Sequence, residues 1–149
     1  MQPASNSFTQ DWAPPLEGDD ATAAVEWLLK FAARHRASDI HLQMESESCR
    51  VQLRLDGVLT QIGMLPDEAA KLILGRVKYL AKLKTYVESL PQDGRIAGAE
   101  VGLPSDVRVS TYPAVTGEKL VIRLFYEGDQ LAFDQLGFPH EVQDVLGKQ

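Results

Sequence analysis

Two arginines occupy equivalent positions in two segments where apolar and polar side chains alternate. Arg108 lies in the sequence VRVST, and Arg123 lies in LVIRL. In an antiparallel hairpin that pairs apolar residues with one another, Arg108 is placed directly opposite Arg123 on the polar face. Like charges opposed across a sheet are unfavourable unless an acidic side chain or an anionic ligand lies between them. The pair is therefore a candidate anion site; the alternative is two solvated arginines, or arginines paired with Glu100, Asp106 or Glu118. The register behind this prediction pairs Val107 with Leu124, Val109 with Ile122 and Thr111 with Leu120.

Other groups that could perform chemistry are sparse. His41 lies between Ile40 and Leu42 and is predicted to face away from the core, and no second His stands at metal-ligand spacing, so no metal site is expected. No Ser, Cys or Thr lies in a nucleophile elbow. The phosphate-binding sequence Gly-x-x-x-x-Gly-Lys followed by Ser or Thr is absent as well. The sequence therefore predicts no catalytic residue in this chain and argues against an independent enzyme.

Alternation of apolar and polar residues predicts strands in two groups. Asp56-Gly57 supplies the positive backbone angles of a tight hairpin, so the segment after it is predicted to return as the third strand of a meander. Asp93-Gly94 is predicted to form another turn. The predicted strands cover residues 40–44, 51–55, 58–62, 107–111 and 120–124.

Two longer segments have the apolar spacing of amphipathic helices. The first follows Asp20, a candidate N-cap, and runs for about four turns. The second begins at Pro66, with Asp67 and Glu68 in the first turn, where negative charge is favourable. A short helix is also predicted over 139–146. The predicted buried residues are Val25, Leu28, Leu29, Ala32 and Ala33 in the first helix and Ala69, Leu72, Ile73, Val77 and Leu80 in the second, whose Lys71, Lys78 and Lys82 are predicted to be exposed.

The order of these elements predicts an α+β fold, in which an antiparallel sheet is flanked by two main helices. Residues 21–149 are predicted to form one domain. Residues 1–20 are rich in Pro, Ser, Gly and acidic residues, and such a segment cannot bury enough apolar surface to offset its ordering entropy. We therefore predict a disordered leader over 1–20.

The amino-acid composition of the chain limits the cellular compartments and the classes of partner that can be expected. The formal net charge of the chain is -6, but the leader carries four of the 21 acidic residues and no Lys or Arg. The rest of the chain is therefore nearly neutral. A neutral surface argues against nucleic-acid binding, which needs a basic one. Cys49 is the single cysteine, so it is predicted to be a small core residue without a disulfide partner. The sequence has no signal peptide and no apolar run that could span a bilayer. A cytoplasmic protein without direct membrane insertion is expected.

Six short sequences, taken in order, resemble the hexameric ATPases that drive type II secretion, type IV pilus assembly and DNA uptake. They are SDIHL at 38–42, RLDGVL at 54–59, LPQDGRI at 90–96, DVRVST at 106–111, GEKLVIRL at 117–124 and LGF at 136–138. Judged from their order and spacing, the resemblance covers residues 21 to about 146. The part of the family that they resemble is the regulatory domain immediately before the P-loop core. The resemblance implies a PAS-like fold joined to that core by a flexible link.

The resemblance also implies a role for three arginines. In the family, ATP binds with Mg²⁺ to the P-loop core, and arginines of the preceding domain contact the phosphates. Arg95 in LPQDGRI and Arg108 in DVRVST match those arginines, and Arg123 in GEKLVIRL is a third candidate. Neither ATP nor Mg²⁺ is expected in the isolated domain.

The implied partners are the C-terminal P-loop domain of the same protein and the neighbouring subunits of a six-membered ring. Contact with inner-membrane secretion or pilus platform proteins is expected to be indirect, which would place the protein at the membrane only through partners. The core with its P-loop would begin about where this sequence ends. An alternative function is a stand-alone PAS-like binding or sensory module with no motor role, which predicts an internal ligand cavity.

Overall fold

The computed structural model describes residues 11–17, 21–87 and 89–126 of the chain. Within these ranges the protein has the predicted α+β fold, an open six-stranded antiparallel sheet with helices. The helix predicted over 139–146 lies outside the described residues. The elements are α1 (Thr22–Arg34), β1 (Asp39–Met44), β2 (Ser48–Leu55), β3 (Val58–Pro66), α2 (Asp67–Leu80), β4 (Gln92–Ile96), α3 (Gly98–Val101), β5 (Val107–Ala114) and β6 (Gly117–Arg123).

The strands lie in the order β3-β2-β1-β6-β5-β4, so the pairing of β1 with β6 joins an early meander to a late one. Asp56 and Gly57 have φ angles of 52° and 82°, as the tight turn between β2 and β3 requires. The predicted register of the later hairpin is confirmed, because Arg108 pairs with Arg123 in β5 and β6. The third strand is longer than predicted and continues to Pro66.

Both main helices pack on one face of the sheet, where alternate strand residues form the core. In the described part of the chain no helix covers the opposite face. Most polar and charged side chains of the strands therefore stay at least partly accessible on that second face, which we call the polar face, whereas Asp39 and His41 are buried among their neighbours there. The core-facing strand residues include Ile40, Leu42, Val51, Leu53, Val109, Leu120 and Ile122.

Three local predictions were wrong. The N-cap of α1 is Ala21 and not Asp20, which lies outside the described residues. Asp93 and Gly94 do not form a turn but lie inside β4. The buried stripe of α2 contains Lys78, whereas Leu72 is 45% exposed. Lys78 is buried because it has an acidic partner on the sheet, which a helical pattern alone does not reveal.

Part of the predicted leader contacts the folded core. Residues 11–17 have no regular secondary structure, but the ring of Trp12 meets the rings of Trp27 and Phe31 edge-on, at centroid distances of 5.4 and 5.8 Å. A Cβ atom on Gly63 would overlap the Trp12 indole, so the absence of a side chain there leaves room for it. Residues 1–10 and 18–20 lie outside the described ranges, and disorder of the whole leader stays a prediction. Among the helices described, none is long and apolar enough to cross a membrane.

Cys49 is fully buried on the core face, as predicted. Burial, reinforced by the negative charge of Glu45, raises the pKa of the Cys49 thiol to about 12. Since the thiolate is the reactive form, we expect the folded chain to resist a thiol reagent such as dithionitrobenzoate near neutral pH. The same thiol should react at once after denaturation in guanidinium. Rapid labelling of the native chain would contradict this prediction.

Candidate functional site: a row of arginines on the polar face

The three arginines predicted from the sequence lie in one row across the sheet. Arg95 of β4 pairs with Arg108 of β5, and Arg108 pairs with Arg123 of β6. The row continues into the early meander, because Arg123 pairs with Asp39 of β1 and Asp39 pairs with Arg54 of β2. All five side chains start from the polar face, since each neighbours a core-facing residue along its strand. The register thus brings four guanidinium groups and one carboxylate together.

Arg95 and Arg108 are the accessible members of the row. The Arg95 side chain is 70% exposed, and its Nη1 lies 3.8 Å from Oδ2 of Asp106, whose side chain is itself 51% exposed. A surface pair of this kind is typically worth at most about 1 kcal/mol. Arg108 is exposed and makes no hydrogen bond or ion pair to any described residue. Within residues 11–17, 21–87 and 89–126, neither guanidinium is locked into an internal contact, so both are open to an external anion there.

Arg123 and Arg54 differ from the other two because they share a buried carboxylate. Asp39 is only 4% exposed. Its Oδ1 accepts a hydrogen bond from Nε of Arg123 at 3.0 Å, and its Oδ2 lies 3.5 Å from Nε of Arg54. Ser38 Oγ also donates to Oδ2, at 3.0 Å. The sequence reasoning missed Asp39, because Asp39 lies beside Arg123 only through the pairing of β1 with β6.

His41 lies one step further along β1, on the same face. Burial lowers the pKa of its imidazole, and the positive charges of Lys119, Arg54 and Arg123 act in the same direction against Asp39. A lowered pKa keeps the ring neutral at neutral pH, so His41 adds no charge to the row. Among the described residues, no three His, Cys, Asp or Glu side chains lie close enough to hold a metal ion.

Gly94 determines where the strand that carries Arg95 can lie. A Cβ atom at this position would come within 2.5 Å of the Ala81 carbonyl oxygen and 2.8 Å of Leu83 Cδ2. The end of α2 therefore approaches β4 across a residue that has no side chain. This contact explains the glycine that sequence reasoning assigned to a turn.

Gly94→Ala is expected to lower the free energy of unfolding by about 1 to 3 kcal/mol, because the added methyl group overpacks against backbone atoms that cannot move alone. Gly75→Ala is the matched control, since nothing lies within 4 Å of a Cβ at Gly75 inside α2. Alanine favours a helix over glycine, so the control should gain up to about 1 kcal/mol. Chemical denaturation of both variants measures the difference. Equal effects of the two substitutions would contradict the packing argument.

A buried ion pair fixes the segment that leads into β4. Lys78 Nζ donates to the two carboxylate oxygens of Glu118 at 3.0 and 2.8 Å and to the Val87 carbonyl at 3.1 Å. Gln92 Nε2 donates to the same carbonyl at 3.3 Å and to the Lys84 carbonyl at 3.1 Å. The side chains of Lys78 and Glu118 are 2% and 5% exposed. Helix α2, strand β6 and the connection before β4 therefore meet at one charged contact.

The sequence of this chain matches a known protein family. The family model described as type II/IV secretion system protein matches residues 19–149. The chain belongs to this family. Among its relatives, the type IV pilus assembly ATPase TfpB of Acinetobacter baylyi is 41% identical over 139 residues, which is 91% of this chain and 23% of that protein. The type IV pilus assembly ATPase PilB of Thermus thermophilus is 36% identical over 138 residues, 91% of this chain and 16% of that protein.

A third relative comes from type II secretion. The type II secretion system protein E of Pseudomonas aeruginosa is 41% identical over 123 residues, which cover 82% of this chain and 24% of that protein. The chain thus spans about a quarter or less of the length of these curated relatives. Membership of the type II/IV secretion family confirms the resemblance stated from the six short sequences.

Proposed function

We propose that this chain is the N-terminal regulatory domain of a type II secretion or type IV pilus motor ATPase. In this proposal Arg95 and Arg108, with Arg123 as a third contact, reach the phosphates of an ATP molecule held by a separate P-loop domain. The family match and the names of the relatives support the class of protein, a secretion or pilus ATPase. The row of accessible arginines on the polar face is the observation that carries the role of this domain.

The charge distribution supports an anionic target. The chain as a whole is acidic, with a formal net charge of -6 and 15 Lys and Arg residues. Six of these cations nevertheless lie on the polar face, where Asp39 and Asp93 are the strand carboxylates of the described part. A guanidinium group offers several N–H donors in a planar fork that matches phosphate oxygens. The six cations are Arg50, Arg54, Arg95, Arg108, Lys119 and Arg123.

The proposed mechanism divides the work between two domains. The P-loop domain would bind ATP and Mg²⁺, and this domain would move its polar face toward the phosphates. Arginines placed against the transferred phosphoryl group stabilise the charge of the transition state. Because a mobile domain supplies them, hydrolysis would depend on domain position, which couples the chemistry to movement in protein transport. A six-membered ring, a PAS-like fold, a cytoplasmic location and indirect contact with inner-membrane platform proteins belong to the same proposal.

The experiment that tests this proposal is ATP turnover by a protein in which this domain is joined to its P-loop domain. Arg95→Ala and Arg108→Ala are compared, separately and together, with the unaltered protein under saturating ATP and Mg²⁺. A lowered turnover number with an intact ring supports the proposal. Unchanged turnover in all three variants would reject the phosphate role of the polar face.

A further inference from the structure

We propose that Asp39 is a positioning residue that holds Arg123 through Nε and leaves the two terminal amino groups of that guanidinium for a polyphosphate. This inference rests on the proposed function and deepens it, because it concerns how the third arginine of the row is oriented. Asp39 itself does not contact the anion in this proposal.

The geometry of the Asp39 carboxylate carries the inference. Oδ1 accepts the Nε–H of Arg123 at 3.0 Å, while Ser38 Oγ and Nε of Arg54 approach Oδ2 at 3.0 and 3.5 Å. The carboxylate is therefore fixed from two sides. Its side chain is 6% exposed, so water competes little for these contacts. A fixed and buried anchor of this kind restrains the arginine that it binds.

The two arginines at Asp39 are held to different extents. Arg54 is bound at both ends, because its Nη1 also donates to the Gly57 carbonyl at 3.0 Å, and its side chain is 37% exposed. Arg123 is bound through Nε alone, and its terminal amino groups make no hydrogen bond or ion pair within the described part of the chain. The Arg123 side chain is 62% exposed. The guanidinium of Arg54 is thus used in contacts within the protein. The guanidinium of Arg123 is anchored through Nε, and its terminal amino groups are open to a ligand.

Anchoring affects anion binding through conformational entropy. A free arginine side chain loses rotamer freedom when it binds a ligand, and a side chain that is already restrained loses less. The negative charge of Asp39 also contacts both Arg123 and Arg54, so it offsets the repulsion between the two guanidinium groups. Removing the negative charge of Asp39 would make the face more positive, yet the positioning role predicts weaker anion binding. The two effects have opposite signs, which makes the proposal testable.

The test uses the chain itself, with inorganic tripolyphosphate as the probe and Arg Nε–H resonances as the readout in nuclear magnetic resonance titrations. In the unaltered chain the Nε–H of Arg123 is expected to be protected from exchange with water, before and after the probe binds. Asp39→Asn keeps the shape of the side chain and should weaken the affinity for tripolyphosphate by about three- to tenfold, with loss of that protection. Arg123→Ala should weaken it similarly, and Asp39→Asn should add nothing further in that background.

Asp106→Asn is the matched control, because it removes a carboxylate charge at the other end of the row, where Asp106 lies 3.8 Å from Arg95. The side-chain oxygen of Asn can still accept the Gly98 N–H that Asp106 Oδ1 accepts at 3.0 Å. The affinity of the Asp106→Asn variant for tripolyphosphate should equal or exceed that of the unaltered chain. If the Asp39→Asn variant binds tripolyphosphate as tightly as the Asp106→Asn variant does, the positioning role of Asp39 is overturned. If Asp39→Asn fails to fold, the unaltered chain still decides: loss of Arg123 Nε–H protection on binding, or no response of Arg123 to the probe, would also overturn it. Turnover of the Arg95 and Arg108 variants judges the proposed function separately, since neither residue contacts Asp39.

Discussion

Replacing Arg95 and Arg108 together by alanine is expected to lower the ATP turnover number of the two-domain protein by about a thousandfold, the range over which arginine fingers act. The reason is electrostatic, because a guanidinium group held against the transferred phosphoryl group stabilises charge that develops only in the transition state. The effect should appear mainly in kcat, with a smaller change in KM, since in the proposed mechanism the P-loop domain supplies most of the ground-state binding.

Lysine substitutions separate charge from geometry at the same positions. Arg95→Lys and Arg108→Lys keep a point charge but lose the planar fork, so they should recover only part of the activity. Arg34→Ala is the control variant, because Arg34 is exposed at the end of α1 and lies outside the row. Its turnover should match that of the unaltered protein. Full activity of the lysine variants would show that a positive charge at these positions is sufficient and that the planar fork of arginine is not required.

Because Arg95 and Arg108 are exposed, a change in turnover of their variants can be separated from a change in folding. Both side chains project from the polar face and have no strong partner among the residues that the structure describes, so their loss should change the free energy of unfolding of the isolated chain by less than about 0.5 kcal/mol. Thermal unfolding of each variant checks this expectation. A drop in turnover without a drop in stability then reports on the site and not on folding.

The parts of the site that follow from local pattern could be predicted from the sequence. Alternation in β5 and β6 defined a register that faces Arg108 toward Arg123, because a shift of one residue would expose the apolar set. Asp56-Gly57 likewise marked the turn between β2 and β3. In both cases the physical cause acts over a few residues, so the pattern carries the information.

The parts that depend on contacts between distant segments could not be predicted. Asp39 and Arg123 are 84 positions apart and meet only because β1 pairs with β6. Lys78 and Glu118 are 40 positions apart, so a helical pattern classes Lys78 as a solvated residue. The Asp-Gly pattern assigned Gly94 to a turn. Its actual role is to leave room for the end of α2, and no local pattern reveals such a tertiary contact. Each of these errors concerns a residue whose identity is explained by a partner and not by its neighbours in sequence.

The buried pair between Lys78 and Glu118 gives the largest expected effect on stability. Lys78→Met removes the ammonium but keeps most of the side-chain volume, and it leaves the Glu118 carboxylate buried without its partner. Breaking one side of a buried ion pair typically costs about 3 to 5 kcal/mol, so the free energy of unfolding should fall by that amount. Glu118→Gln should have a similar effect, because it strands the ammonium of Lys78.

The surface pair of Lys71 and Asp67 on the same helix supplies the matched control. Lys71 Nζ lies 3.2 Å from Asp67 Oδ2, and the two side chains are 69% and 34% exposed. Lys71→Met should therefore cost about 0.5 kcal/mol or less in urea denaturation. A double variant, Lys78→Met with Glu118→Leu, should be more stable than the sum of its single variants predicts, because no charge is left unpaired. If Lys78→Met costs no more than Lys71→Met, the Lys78–Glu118 contact contributes little to holding α2 on β6, and the position of β4 rests on its pairing with β5 and on the packing at Gly94.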